Sequence, residues 1–227
     1  MFCPKCGTQV ADGAATCLNC GTPIAPAKSP AGAVADTVKI ASQDALKAFK
    51  MFATNPVAGL SVAFEHLGPN RTLSVGVSFG VVFSLCILIG GYVALPGWSR
   101  PRGVGGFLSS LVCALVPFVS LAGASLAARK AFRGEGDFGR DCFVAGASLL
   151  PFGLVVLLAG LLGFGNMEAV LVLLLFAVCI TILMLFAGCT RIFKMSERAA
   201  TIAIPLMLIA SGWLSKIIYT VLLRHSF

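Results

Sequence analysis

Five stretches, about 72–95, 104–128, 142–163, 168–190 and 200–223, are each long and apolar enough to cross a lipid bilayer. A helical span needs about 20 predominantly apolar residues. Backbone in hydrocarbon must satisfy its own hydrogen bonds, and a helix does so within one segment. The chain as a whole agrees. It is 58% hydrophobic and 11% charged, with a mean hydropathy of +0.95, whereas ordinary globular domains carry about 25% charged residues. The expected class is an all-α polytopic membrane protein with five transmembrane helices, spanning 71–227.

The net charge of +8 could signal nucleic acid, but the cations follow the spans. Lys5, Lys28, Lys39, Lys47, Lys50 and Arg71 precede the first span. Arg129, Lys130, Arg133 and Arg140 lie around the second loop, and Arg191, Lys194 and Arg198 around the fourth. Opposite them stand Arg100, Arg102 and Arg224. Cytoplasmic loops accumulate Lys and Arg, so the N-terminus is expected in the cytosol and the C-terminus outside. The expected location is the bacterial cytoplasmic (inner) membrane. The first 70 residues hold no long apolar run, so a cleavable signal is not expected and a later span drives insertion.

The chain opens "MFCPKCGTQVADGAATCLNCGTPI", with two Cys-x-x-Cys pairs, each followed by Gly-Thr. Cys3, Cys6, Cys17 and Cys20 can supply four thiolates to one tetrahedral Zn²⁺. Gly7 and Gly21 suit a positive φ that turns backbone N–H groups toward the sulfurs. Pro4 stiffens the first turn. Iron in a rubredoxin-like site and a pair of disulfides are the alternatives, the latter requiring an oxidising compartment. Four thiolates leave no open coordination position, so the metal is expected to be one structural zinc. Residues 1–24 resemble the zinc-ribbon family, whose CPxCG knuckles are matched by residues 3–7 and more loosely by residues 17–21. The ribbon has too few cations to grip phosphate, so nucleic acid is not an expected partner. Cys86, Cys113, Cys142, Cys179 and Cys189 stand singly in apolar runs and behave as small hydrophobes.

Residues 25–35, rich in Pro and Ala, read as a flexible linker. Residues 36–70 read as an amphipathic juxtamembrane segment. Asp36 can cap a helix carrying Val38, Ala41, Ala45, Phe49 and Phe52 on one face, with Leu46 alongside. Lys39, Gln43, Lys47 and Lys50 lie opposite, and Lys39, Lys47 and Lys50 are expected at the membrane surface. The alternative is a helix packed on the protein's own loops. Pro56 ends the helix. A second short helix follows, with Glu65 and His66 near the membrane.

Within the spans, Lys216 is the ionisable residue expected deepest. Trp213 and Tyr219 flank it at three-residue steps, as in an aromatic belt. Snorkelling outward and contact with a lipid headgroup or substrate are both open to it. Asp141 and Glu168 are expected to face water at span ends. Pro117, Pro151 and Pro205 fall inside spans. Small residues at four-residue and three-residue steps, such as Gly76 and Gly80, or Cys142 and Gly146, favour close helix packing.

Residues 55–223 resemble the Yip/Yif membrane proteins. The resemblance rests on five spans, a glycine-rich loop feeding a Pro-bearing third span ("GEGDFGRDCFVAGASLLPFGL"), and "FKMSERAATIAIPLML". With the CPKCG start, the chain looks like prokaryotic proteins that join a zinc ribbon to such a domain. The resemblance implies a membrane role without catalytic residues; eukaryotic relatives act in vesicle traffic and contact Rab GTPases. The expected function is therefore a non-enzymatic integral membrane scaffold or adaptor. Its ribbon would recruit a cytosolic protein, while its bundle would meet lipids, membrane proteins or a second copy. The alternative is a lipid-handling or transport-complex subunit, for which a polar cavity near mid-membrane, lined by Lys216, is the mark.

Overall fold

A computed structural model describes residues 2–3, 5–10, 16–22, 30–94, 103–163 and 167–224. Pro4, Asp12, Lys28, the linker residues 25–29, Arg100 and Arg102 of the first loop, the turn residues 164–166 and the side chain of Arg224 lie outside the described residues. The chain divides into two compact units, Met1–Ile40 and Ala41–Phe227.

The elements are α1 (Pro30–Thr54), α2 (Pro56–Leu67), α3 (Pro69–Ala94), α4 (Gly103–Ala131), α5 (Phe138–Leu162), α6 (Met167–Ala187) and α7 (Glu197–Arg224), with a π turn at Gly188–Ile192. Helix α1 starts within the stretch expected to be a linker, six residues before Asp36. Pro30 is tolerated at the first helical position because its missing N–H is not needed there, and Ala31, Ala33 and Ala35 are the best helix formers. The helix stops where expected. Asn55 is extended (φ −144°, ψ 92°), and its Oδ1 accepts from the Ala58 N–H to cap α2.

Five helices are long and apolar enough to span a membrane: Arg71–Ala94, Gly103–Ala131, Phe138–Leu162, Met167–Ile192 and Glu197–Val221. The third starts four residues before its expected start because the Asp137 side chain accepts from the Arg140 N–H and caps it. Helix α5 is the centre of the bundle, with every residue from Asp141 to Ser148 buried.

The most extensive helix contact is α3 against α5. Its seam is a glycine every seventh residue of α5: Gly139, Gly146, Gly153 and Gly160. A Cβ added at Gly146 would lie 2.5 Å from the Gly76 carbonyl oxygen, and one at Gly153 would lie 2.8 Å from the Phe83 ring. At Gly160 it would strike the Gly90 carbonyl, and at Gly139 it would meet Thr72 Oγ1 at 3.1 Å. The partners on α3 advance in the same order as the glycines on α5, so the two helices run parallel. Seven residues are close to two helical turns, which keeps one glycine face turned to α3. The absent side chains let the backbones touch. Of the small residues read at shorter steps, Gly76, Gly80 and Gly146 do pack closely, whereas Gly123 faces open space.

Aromatic rings tie α1 and α2 to this pair. Phe49 and Phe52 of α1 lie edge-on at 5.5 Å, Phe52 meets Phe79 of α3 at 5.5 Å, and Phe79 meets Phe143 of α5 at 6.2 Å. Phe64 of α2 closes the chain on Phe143 at 6.1 Å. Such pairs add to simple burial. The packed face of α1 is therefore Ala45, Ala48 and Phe52, with Phe49 half-buried, whereas Val38 and Leu46 are exposed. This corrects the expected face. Asp44 turns inward because Arg71 Nη1 meets its carboxylate at 3.0 Å, and the buried stripe shifts with it.

Candidate metal centre

The two cysteine pairs fold into two near-identical turns. The Cys3 N–H donates to the Thr8 carbonyl at 2.9 Å, and the Cys17 N–H donates to the Thr22 carbonyl at 2.9 Å. The Gly7 N–H returns to the Cys3 carbonyl at 2.9 Å, and the Gly21 N–H to the Cys17 carbonyl at 2.8 Å. Gly7 (φ +70°) and Gly21 (φ +65°) take the left-handed conformation that the sequence pointed to. Side chains other than Gly adopt it only with strain. A bridge between Phe2 and Gln9 braces the first turn.

The turns bring Cys3, Cys6, Cys17 and Cys20 together, with all four Sγ atoms within 4.8 Å of one another. Cys3 and Cys20 stand 3.6 Å apart, as do Cys6 and Cys17. Tetrahedral thiolates about 2.3 Å from one zinc would have edges of just under 4 Å, so the spacing fits one structural zinc ion. The donor set is sulfur alone, which leaves that ion no open position for chemistry.

Two residues of the site escaped the sequence reading. The Cys6 thiol donates to Thr8 Oγ1 at 3.3 Å, and Cys20 Sγ lies 3.1 Å from Thr22 Oγ1. Each hydroxyl can rotate and donate to a thiolate, the kind of hydrogen bond that orients metal ligands. The Gly-Thr after each pair was the available signal. The Thr8 side chain, and then its backbone, holds the Cys6 thiol down at about 6, and Thr22 lowers Cys20 in the same way. Cys17 accepts from the N–H groups of Cys20 and Asn19, which favour its thiolate. Burial and the Cys20 and Cys6 sulfurs nevertheless push it up to about 11. Asn19 Nδ2 donates to Thr8 Oγ1 at 3.0 Å and links the two turns.

Elsewhere the structure corrects one reading. Asp141 does not face water; it is 0% exposed. The Arg129 side chain grips it through Nε and Nη2, the latter at 2.8 Å from Oδ2, while Ser125 Oγ donates to Oδ1 at 3.2 Å. Arg129 Nη1 also donates to the Gly136 carbonyl at 2.7 Å, holding the 132–137 loop. That loop is joined to the 193–196 loop by a hydrogen bond from the Glu135 N–H to the Phe193 carbonyl, 2.8 Å. Lys194 pairs with Glu135 at 2.8 Å, and this hydrogen bond holds the Glu135 carboxyl below its ordinary value. Glu168 is exposed, as are Glu65 and His66 on α2.

Lys39, Lys47 and Lys50 are exposed on α1. Lys216 is exposed on α7, Trp213 is exposed and Tyr219 is half-buried. Lys216 and Tyr219 line a groove of about 520 Å³ between α4 and α7, together with Pro117, Gly212 and Thr220. Trp213 stands on the neighbouring face and does not line it.

Residues 2–24 match the zinc-ribbon domain family. No curated protein and no solved structure matched the chain. The Yip/Yif resemblance of the membrane region is not supported by a family match. The chain thus carries an N-terminal zinc ribbon and five helices apolar enough to span a membrane.

Proposed function

We propose that this membrane protein is a non-enzymatic adaptor whose zinc ribbon recruits a protein partner on the cytosolic side. The observation that carries the reading is the all-sulfur metal set. It closes the metal to substrate and leaves the ribbon surface as its means of action. That surface presents Leu18 at 99% exposure and Phe2 at 71%, apolar groups of the kind that anchor protein contacts. Lys5 is the cation among the ribbon's described residues, which argues for protein over nucleic acid. The Yip-like architecture fits a scaffold of the inner membrane. The bundle's partners are lipids, other membrane proteins or a second copy.

The experiment is capture from cytosol by the purified full-length protein, with a chain lacking residues 1–30 and a Phe2→Ser, Leu18→Ser pair as controls. A partner retained by the full chain and lost by both controls is the expected result. Equal capture by all three would remove the recruiting role. The orientation is read separately with a reporter that works only outside the cytosol. Fused after Phe227 it should be active, and inserted beside Arg133 it should be silent; the reverse would invert the topology. A second reading, a lipid-handling subunit, rests on the groove at Lys216, which is mostly apolar and lies toward the end of its span rather than near mid-membrane.

A further inference from the structure

We propose that the α4–α7 groove around Lys216 binds the phosphate headgroup of an anionic phospholipid. The inference does not depend on the recruiting role of the ribbon.

Depth comes first. Lys216 lies nineteen residues beyond Glu197, about 28 Å along the helix at 1.5 Å per residue. The hydrocarbon slab is about 30 Å thick. The apolar span ends at Val221, five residues past Lys216, so the lysine lies within about 8 Å of the span end opposite the 132–137 and 193–196 loops. That is the depth at which a lipid phosphate is within reach of a lysine ammonium.

Pairing comes next. Asp44 with Arg71, Asp141 with Arg129 and Glu135 with Lys194 are ion pairs within the membrane unit. Among the described residues, no hydrogen bond or ion pair engages the Lys216 ammonium or the Tyr219 hydroxyl. An unpaired charge inside the membrane boundary is expensive, and a phosphate answers it with charge-assisted hydrogen bonds. Thr220 is not a donor for such a ligand, because its Oγ1 already donates to the Lys216 carbonyl at 2.8 Å. The two available donors are Lys216 Nζ and the Tyr219 hydroxyl, one turn apart on the groove wall.

Shape separates a site from simple snorkelling. Gly212 lies one helical turn before Lys216, in the groove. A Cβ added there would meet nothing within 4 Å, and no positive φ demands glycine. Packing does not require this glycine, and within a helix it is less favourable than alanine. Its effect is to leave room below the lysine. The opposite wall is Pro117 of α4. The wall is held in place by a buried hydroxyl cluster: Ser120 Oγ lies 2.8 Å from Ser211 Oγ and 3.2 Å from Ser215 Oγ. A shallow groove with a cation at its rim, braced by that cluster, is what recognises one headgroup. A zwitterionic headgroup carries its own cation beside the phosphate, so the groove should prefer a net negative lipid.

The test is native mass spectrometry of the delipidated full-length chain in detergent, titrated with phosphatidylglycerol or phosphatidylcholine. Phosphatidylglycerol should bind about tenfold more tightly than phosphatidylcholine. Lys216→Gln should erase that preference. Gly212→Leu, which keeps the charge and fills the groove, should lower occupancy by about tenfold, while Gly212→Ala retains binding and reports that the helix tolerates a side chain there. An excess of inorganic phosphate should leave the lipid bound. Equal binding of the two lipids, or wild-type binding by Lys216→Gln and Gly212→Leu, would reduce Lys216 to a snorkelling side chain and overturn the proposal. Displacement of the lipid by inorganic phosphate would also overturn it, in favour of a soluble anion.

Discussion

Asp141→Ala is expected to destabilise the membrane bundle by about 3–5 kcal/mol, the range for breaking one side of a buried ion pair. The loss arises from what remains. Arg129 is 7% exposed, and without the carboxylate its guanidinium keeps only its hydrogen bond to the Gly136 carbonyl among the described residues. Its Nε and Nη2 then lose their acceptor, and Ser125 loses the acceptor for its hydroxyl. Ser125→Ala should cost only about 1 kcal/mol, because it removes one neutral donor and leaves the charges paired. Lys194→Ala provides the contrast. It breaks a pair of equal length, 2.8 Å, but the side chains are 66% and 62% exposed, and such surface pairs contribute about 0–1 kcal/mol. Thermal unfolding of the three variants in one detergent should follow that order. An Asp141→Ala protein as stable as Lys194→Ala would show that the pair does not hold the bundle.

Removing zinc should unfold the ribbon and spare the bundle. Among the ribbon's described residues, the buried apolar ones are Cys3, Val10 and Cys17, with Cys20 packed against them, and three of those four are metal ligands. A piece this small has no core with which to oppose chain entropy, so binding and folding are one event, worth about 10–16 kcal/mol for structural zinc at pH 7. Purified protein should hold about one zinc per chain, and Cys17→Ser should lose it. After chelation, protease should cut within residues 2–24 while the bundle's melting temperature stays constant, since the two units are separately compact. The pH dependence has a definite sign. The Thr8 hydrogen bonds that lower the Cys6 thiol favour the thiolate form that the metal needs. Protons also compete with the metal for all four sulfurs, so transfer of zinc to a chelator should become easier on acidification. Stoichiometric zinc in a protein with all four cysteines changed to serine would refute the assignment.

The sequence disclosed most about what depends on local pattern. Cysteine spacing and knuckle glycines specify the ribbon because its ligands lie within eighteen residues of one another. Apolar run length specifies the spans because lipid imposes one length on each. What escaped was pairing between distant segments. Asp141 resembles a loop residue at the edge of an apolar run, and only the approach of Arg129 from α4 makes its burial tolerable. The inward turn of Asp44 depends on Arg71, twenty-seven residues away, and that one pair shifts the buried face of α1. The glycines at 139, 146, 153 and 160 were visible, but their seven-residue step acquires meaning only beside a second helix. Thr8 and Thr22 repeat with the knuckles, yet a hydroxyl after a glycine does not reveal that it points at sulfur.

The glycine seam also sets a schedule for synthesis. Its two helices are parallel, so they cannot be neighbours in the chain; α4 must cross back between them. Sixty-eight residues separate Ala94, the end of α3, from Leu162, the end of α5. At 5–20 residues per second a ribosome takes roughly 3–14 s to cover them. Through that interval α3 waits in the bilayer with a bare backbone strip at Gly76 and Gly90, shaped for a partner not yet made. Any other small-faced helix nearby competes for the same strip until α5 arrives.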